Sequence, residues 1–147
     1  MAEEQLVLFC LGDEEYAISI SQVKEIIQYK GVTKLPNTPE YMEGVFTLRG
    51  KIIPVVDLVR RLGLTTSKND DKRVLIIETA GREIGIVVDE VTEVIRLQDS
   101  AIEPPPPMTS GNGYVRGIGK AENRLLILLD VDRLFGEEEI AELKRVG

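Results

Sequence analysis

The chain has 147 residues, 43% apolar and 29% charged, with a formal net charge of −7, which suits a globular domain with a conventional core and excludes a disordered or fibrous chain. The negative balance argues against nucleic acid or an anionic membrane as partner, and the lack of histidine removes imidazole catalysis and histidine metal sites. The single cysteine, Cys10, permits neither an internal disulfide nor the Cys-rich zinc spacings, and inside an apolar run it reads as a small buried residue in a reducing compartment.

At the N-terminus, Glu3 and Glu4 occupy the place of a basic leader, and Gly12 with Asp13 cuts the first apolar run short, so no signal peptide is expected. No apolar run approaches the roughly 20 residues of a membrane span, and the expected location is cytoplasmic. Short Val, Ile and Leu runs then predict strands at about 7–11, 16–20, 25–29, 45–48 and 52–56, and again at 74–78, 83–88, 92–97, 114–118 and 125–129. The separators LGDEE, TAGRE, RGK and KAENR carry the Gly, Asp and Asn of turns. The stretch after Ser21 or Asp89 can equally be read as a short capped helix.

The two sets of five strands are copies. Residues 12–27 (GDEEYAISISQVKEII) lie over 81–95 with one residue skipped, matching Glu15 to Glu83, Val23 to Val91 and Glu25 to Glu93. Residues 44–63 (GVFTLRGKIIPVVDLVRRLG) lie over 117–136 without a gap, matching Gly44 to Gly117, Asp57 to Asp130 and Arg60 to Arg133. The extra length of the second copy falls around Pro104 to Pro107, as expected of a surface loop.

Each copy ends in a brief amphipathic helix, DLVRRLG or DVDRLFG, which Asp57 or Asp130 would cap and Gly63 or Gly136 would end. The tail 137–146, with Glu early and Lys and Arg late, predicts a further helix packed on the body. The polar stretch 65–71 is the natural joint. The expected architecture is all-β: two five-stranded barrels side by side, since curling removes open sheet edges. Subdomain one would span about 6–64 plus the helix 137–146, subdomain two about 72–136, with a groove between them.

Catalytic signals are weak. The glycines at 111, 113, 117 and 119 precede a strand and not a helix, so they suit a hairpin approach better than a phosphate cradle. Asp57 and Asp130, identically placed in the two copies, are simpler as helix caps than as an acid/base pair. The copies differ most at TLRGKIIPV, where Arg49, Gly50 and Lys51 form a basic turn and Pro54 interrupts a strand, which places that stretch at an unpaired edge. Arg49 is either simply solvated or an interface anchor, a role in which arginine is enriched.

At 44–58 (GVFTLRGKIIPVVDL) the chain resembles the CheW family of bacterial chemotaxis coupling proteins, and 11–26, 35–58, 81–95 and 125–135 extend the likeness over nearly the whole length. The resemblance implies one domain, 1–147, built from two SH3-like barrels. It also implies a free-standing, non-enzymatic adaptor, without cofactor or metal, that links the cytoplasmic tips of methyl-accepting chemotaxis receptors to the regulatory domain of the histidine kinase CheA. By motif position, Arg49, Gly44, Val23 and Glu25 resemble residues of receptor attachment, and Val87 and Val88 correspond to the groove lining. Thr47 stands where the family commonly has Asn, a mild departure. The competing readings are a small-ligand-binding β module, a carboxylate-dependent enzyme, or a purely structural protein that self-assembles.

Overall fold

The computed structural model describes residues 2–64, 72–107 and 113–134. The joint 65–71, Gly111, the helix end at Gly136 and the tail helix 137–146 lie outside the described residues. Eleven strands are present: β1 (Glu3–Leu11), β2 (Glu14–Ser19), β3 (Val23–Gln28), β4 (Met42–Leu48), β5 (Lys51–Asp57), β6 (Arg73–Thr79), β7 (Arg82–Val88), β8 (Glu90–Gln98), β9 (Ile102–Glu103), β10 (Val115–Ala121) and β11 (Arg124–Leu129). Two four-residue helices, α1 (Leu58–Arg61) and α2 (Val131–Leu134), follow β5 and β11. The stretches after Ser21 and Asp89, also readable as short helices, are strands β3 and β8, with an uncapped 3-10 turn at Ile20–Gln22 leading into β3.

The ten expected strands are all found, and their register shows the repeat at atomic level. One sheet runs β3-β6-β7-β5-β4 and the other β8-β1-β2-β11-β10-β9. These are the same order once β1, β2, β3, β4 and β5 are matched to β6, β7, β8, β10 and β11. Ile27 faces Val74 as Ile95 faces Leu6, and Val45 faces Pro54 as Ile118 faces Ile127. The bulges repeat as well, before Gly44 and before Gly117. Even the two-residue β9, which faces Ile118 through Glu103, has its counterpart in the lone bridge from Thr33 to Val45. In each barrel the chain beyond the third strand thus bends over and closes the ring on the fourth.

The sheets correct the expected subdomain boundaries. The first barrel holds β3, β4 and β5 of copy one with β6 and β7 of copy two, so it spans about 23–88 and contains the joint. The second is built from both ends of the chain, β1 and β2 with β8 to β11. The copies have exchanged their first hairpins. Sequence could not reveal this, because both copies carry the same apolar pattern and either hairpin satisfies either sheet.

The exchange explains the composition of those hairpins. Leu6 and Leu8 of β1 and Val74 and Ile76 of β6 point into their barrels, while Val7, Phe9 and Leu11, and Leu75 and Ile77, point at the other barrel. Strands buried on both faces read as continuous apolar runs instead of alternating ones. Among the described residues the cluster between the barrels holds 17 buried residues against six and five inside them, so the two sheets share one dominant core. Phe9 and Tyr16 stack there with ring centroids 6.1 Å apart. Hydrogen bonds from Asp89 N–H to the Cys10 carbonyl, from Gly12 N–H to Asp89 Oδ2 at 2.6 Å and from Thr79 Oγ1 to Asp132 Oδ1 at 2.8 Å cross the same interface.

Pro54 sits at the local edge the sequence requires. The parallel pairing of β5 with β7 begins only at Val55, whereas Ile127, its counterpart in β11, pairs with Tyr16 of β2. Gly44 is buried and required: its φ is +151°, and a Cβ there would stand 2.3 Å from the Thr33 carbonyl oxygen. The equivalent approach at Gly117, 2.9 Å from the Glu103 oxygen, is less severe. Gly44→Ala should therefore lower the urea midpoint by about 3 kcal/mol of stability, and Gly117→Ala by roughly half of that. Equal losses, or none, would show that the closing segments are not held by these approaches.

Candidate protein-interaction site

The β4–β5 hairpin turns through two residues with positive φ, Arg49 at +51° and Gly50 at +81°, the geometry that matches strand twist in a two-residue loop. An arginine in this conformation carries a Cβ penalty of about 1–2 kcal/mol, and strain of this kind gathers at functional surfaces. The exposed Arg49 guanidinium reaches across the barrel mouth and donates two hydrogen bonds to the Glu25 carboxylate, at 2.7 and 2.6 Å. This pairing holds the Glu25 carboxyl below the usual glutamate range and pushes Arg49 up. Lys51 lies 3.3 Å from Glu83 on the same rim.

The second barrel repeats this frame with other charges. Arg124 replaces Lys51 and reaches both Glu15 at 3.2 Å and Glu93, the counterpart of Glu25, at 3.3 Å. Glu122 replaces Arg49, again with positive φ at +57°. Around each frame two large apolar side chains stand in solvent: Ile26 and Ile52 on the first barrel, Val94 and Leu125 on the second. These are repeat-equivalent pairs. Sequence reasoning missed them because each belongs to an apolar doublet, Ile26-Ile27, Ile52-Ile53, Val94-Ile95 or Leu125-Leu126, and strand faces follow from sequence only modulo one residue. The doublets gave no separate signal, since Val55-Val56 and Val87-Val88 are doublets with both members buried.

The predicted site residues divide. Arg49 and Glu25 are joined on the surface, and Val23 is half-buried beside them on β3, packed against the inter-barrel core. Gly44 is internal. Val87 and Val88, expected to line a groove, are 3% and 0% exposed, the first inside the first barrel and the second between the barrels. The space between the barrels is filled along these strands, which removes both valines from any contact surface.

Asp57 and Asp130 share one geometry. Asp57 Oδ1 accepts from Val59 N–H at 3.0 Å and Asp130 Oδ1 from Asp132 N–H at 3.0 Å, while Arg60 and Arg133 stand 3.5 Å from the respective carboxylates. Their own N–H groups donate to the Tyr41 and Tyr114 carbonyls, each at 2.8 Å. Between these tyrosines, which belong to different barrels, the Arg61 guanidinium lies 5.4 and 6.0 Å from the ring centroids. Burial, and then the charge of Glu43, pushes the Asp57 carboxyl up. Tyr29 donates to Glu43 at 2.8 Å, and burial followed by that hydrogen bond pushes its hydroxyl up to about 12. Among the described residues no cluster of His, Cys, Asp and Glu suits a metal ion, and no helix is long and apolar enough to cross a membrane.

Comparison with known proteins gives a consistent set. The CheW-like domain family matches residues 5–139. The chain is 38% identical to the chemotaxis protein CheW of Klebsiella aerogenes, covering 98% of this chain and 89% of that one. It is 38% identical to that of Helicobacter pylori, covering 91% and 82%. The crystal structure of the scaffolding protein TtCheW from Thermoanaerobacter tengcongensis superposes with a TM-score of 0.86 at 39% identity, covering 94% of this chain and 96% of that one.

Two outcomes follow from the placement of these residues. Val88→Ser should cost about 2–3 kcal/mol through a cavity and an unpaired hydroxyl, and any loss of partner binding should track the unfolded fraction measured in urea. A binding loss in fully folded Val88→Ser protein would restore Val88 to a contact role. At Asp57 the folded carboxyl binds its proton more tightly than the unfolded one, so its contribution to stability falls as pH rises from about 3.8 through the raised folded value. Asp57→Asn, which keeps the cap acceptor, should flatten that slope and be at least as stable at neutral pH, whereas Asp57→Ala should lose about 1 kcal/mol. An unchanged slope in Asp57→Asn, read from pH-dependent urea midpoints, would assign it to another group.

Proposed function

The chain belongs to the CheW family, and we propose that it is a non-catalytic adaptor of bacterial chemotaxis, coupling methyl-accepting chemotaxis receptors to the histidine kinase CheA from the cytoplasmic side. The observation that carries this reading is the pair of repeat-equivalent surfaces, one on each barrel, with the same exposed apolar positions and different charges. A chain that must hold two partners at once needs two separate surfaces, and a rigid core between them fixes their spacing.

In this reading the receptor tip takes the first barrel's surface, through Arg49, Glu25 and the neighbouring Val23 of β3 with Ile26. The regulatory domain of the kinase takes the second, around Val94 and Leu125. Gly44, Val87 and Val88 act through the fold, by holding β4 and β7 in place. The motif resemblance of Arg49 to an attachment residue is supported by its exposed place at the hairpin tip, where its ion pair contributes only about 0–1 kcal/mol to stability. Interface arginines with desolvated partners commonly count for 2 kcal/mol or more.

Sedimentation velocity with a receptor cytoplasmic fragment and with the CheA regulatory domain tests the assignment. Arg49→Glu should weaken the receptor fragment at least about tenfold, equivalent to about 1.4 kcal/mol, while leaving the fold and the kinase domain's affinity intact. Leu125→Asp should do the reverse. The double swap Glu25→Arg with Arg49→Glu rebuilds the ion pair; it should fold normally yet fail to restore receptor binding. Restoration would show that the pair is structural, and a failure of the unaltered chain to bind either fragment would overturn the adaptor reading.

A further inference from the structure

The two barrels share a register but differ in how their seams are filled. In the second, Leu97 and Leu128 close over Gly119, where an added Cβ would stand 2.7 Å from Leu97 Cδ2 and 3.1 Å from Leu128 Cδ1. The register puts Tyr29, Val55 and Phe46 at the matching places of the first barrel. Leu97 is buried in its barrel's core, whereas Tyr29 is half-buried against its own and donates its hydroxyl to Glu43. With a phenyl ring where the second barrel has no side chain, the first seam stays open.

The opening is a cleft of about 420 Å³ walled by Ile27, Tyr29, Val32, Phe46, Val55 and Val74. A shallower cleft of about 480 Å³ adjoins it past Val32 and Phe46. A largely apolar wall and a volume of this size are those of small-molecule sites, which run from roughly 300 to 1,000 Å³. Orientation in such a site comes from few polar groups, and here the charge is cationic. Lys30 lies on the rim of both clefts and is exposed. Lys34, also exposed, follows Thr33, which walls the outer cleft. Among the described residues neither lysine has a carboxylate partner, in a chain whose net charge is −7. Glu43 is already engaged by the Tyr29 hydroxyl at 2.8 Å and by Arg60 at 3.5 Å.

We propose that this seam binds a small amphipathic monoanion, such as a medium-chain carboxylate, with its apolar body between Phe46, Val32 and Val74 and its head group on Lys30. The inner cleft shares no wall residue with the first barrel's adaptor surface, although the outer one reaches Ile52, and the proposal does not depend on the adaptor reading.

Titration of the 147-residue chain with sodium decanoate, followed by amide chemical shifts, is the test. Saturable shifts at 27–32, 46, 55 and 74 are expected, at concentrations below those at which decanoate forms micelles. Lys30→Glu with Lys34→Glu, both at exposed positions and so neutral to folding, should weaken binding roughly tenfold, as loss of charge-assisted contacts does. Val32→Trp, checked for folding by circular dichroism, should block the cleft and abolish the shifts, and decanol should bind more weakly than decanoate. The proposal is overturned by non-saturating shifts, by shifts centred elsewhere, or by equal affinity for decanol. Undiminished affinity in the double lysine variant would also overturn it. A response to an acidic peptide but not to decanoate would assign the cleft to a partner's side chain instead and likewise overturn it.

Discussion

The hairpins β1–β2 and β6–β7 are each buried on both faces and each completes the barrel of the other copy, and the remaining architecture depends on this exchange. A hairpin in this position supplies the wall of one barrel and the floor of the inter-barrel core at once. Each large apolar side chain buried there contributes about 1.5–3 kcal/mol, and among the described residues 17 apolar side chains lie between the barrels. Each barrel leaves one face of its hairpin uncovered without the other, so the chain should unfold as one unit despite its two sheets. The mutual orientation of the barrels is set by close packing and not by a linker.

How much of this could be read from the amino-acid order depends on what each feature requires. Turn residues, apolar runs and matched aspartates act locally, and they gave all ten principal strands and both helix caps. The repeat was visible for the same reason. The pairing of copies was not, because Leu6-Val7-Leu8 and Val74-Leu75-Ile76 present identical demands to either sheet and only tertiary packing decides between them. Val87 and Val88 illustrate the same limit at residue scale: a continuous apolar strand has two buried faces in this fold, and sequence alone does not distinguish that from one buried face and one sticky face. Ile52 and Leu125 failed in the opposite sense, since each stands beside a buried neighbour and was absorbed into its run.

The copies differ in their shared core, where Phe9 and Tyr16 stand in place of Ile77 and Ile84, and they differ again at the surface and the seam. Arg49 against Glu122 and Lys51 against Arg124 change which charge meets the conserved geometry of Glu25 and Glu93. Phe46 against Gly119 decides whether a seam is open or closed. Pro54 against Ile127 removes one step of pairing between β5 and β7, leaving the basic hairpin free to project beyond the sheet. A duplicated fold thus carries two distinct faces without any change in its hydrogen-bonded frame.

This rigidity bears on how an adaptor of this kind transmits anything. A relay through the protein requires two arrangements of comparable energy that the partners favour differently. The described hairpins offer one: their apolar side chains alternate between two filled cores, and a one-residue slip would carry every buried residue to the wrong core. Coupling by a stiff body works differently. Partners held at fixed separation and orientation meet at high effective concentration, and each contact can be individually weak. A rearrangement in one partner is then felt by the other through the geometry of the assembly, with the strained Arg49 turn and its counterpart at Glu122 acting as fixed points on a common core.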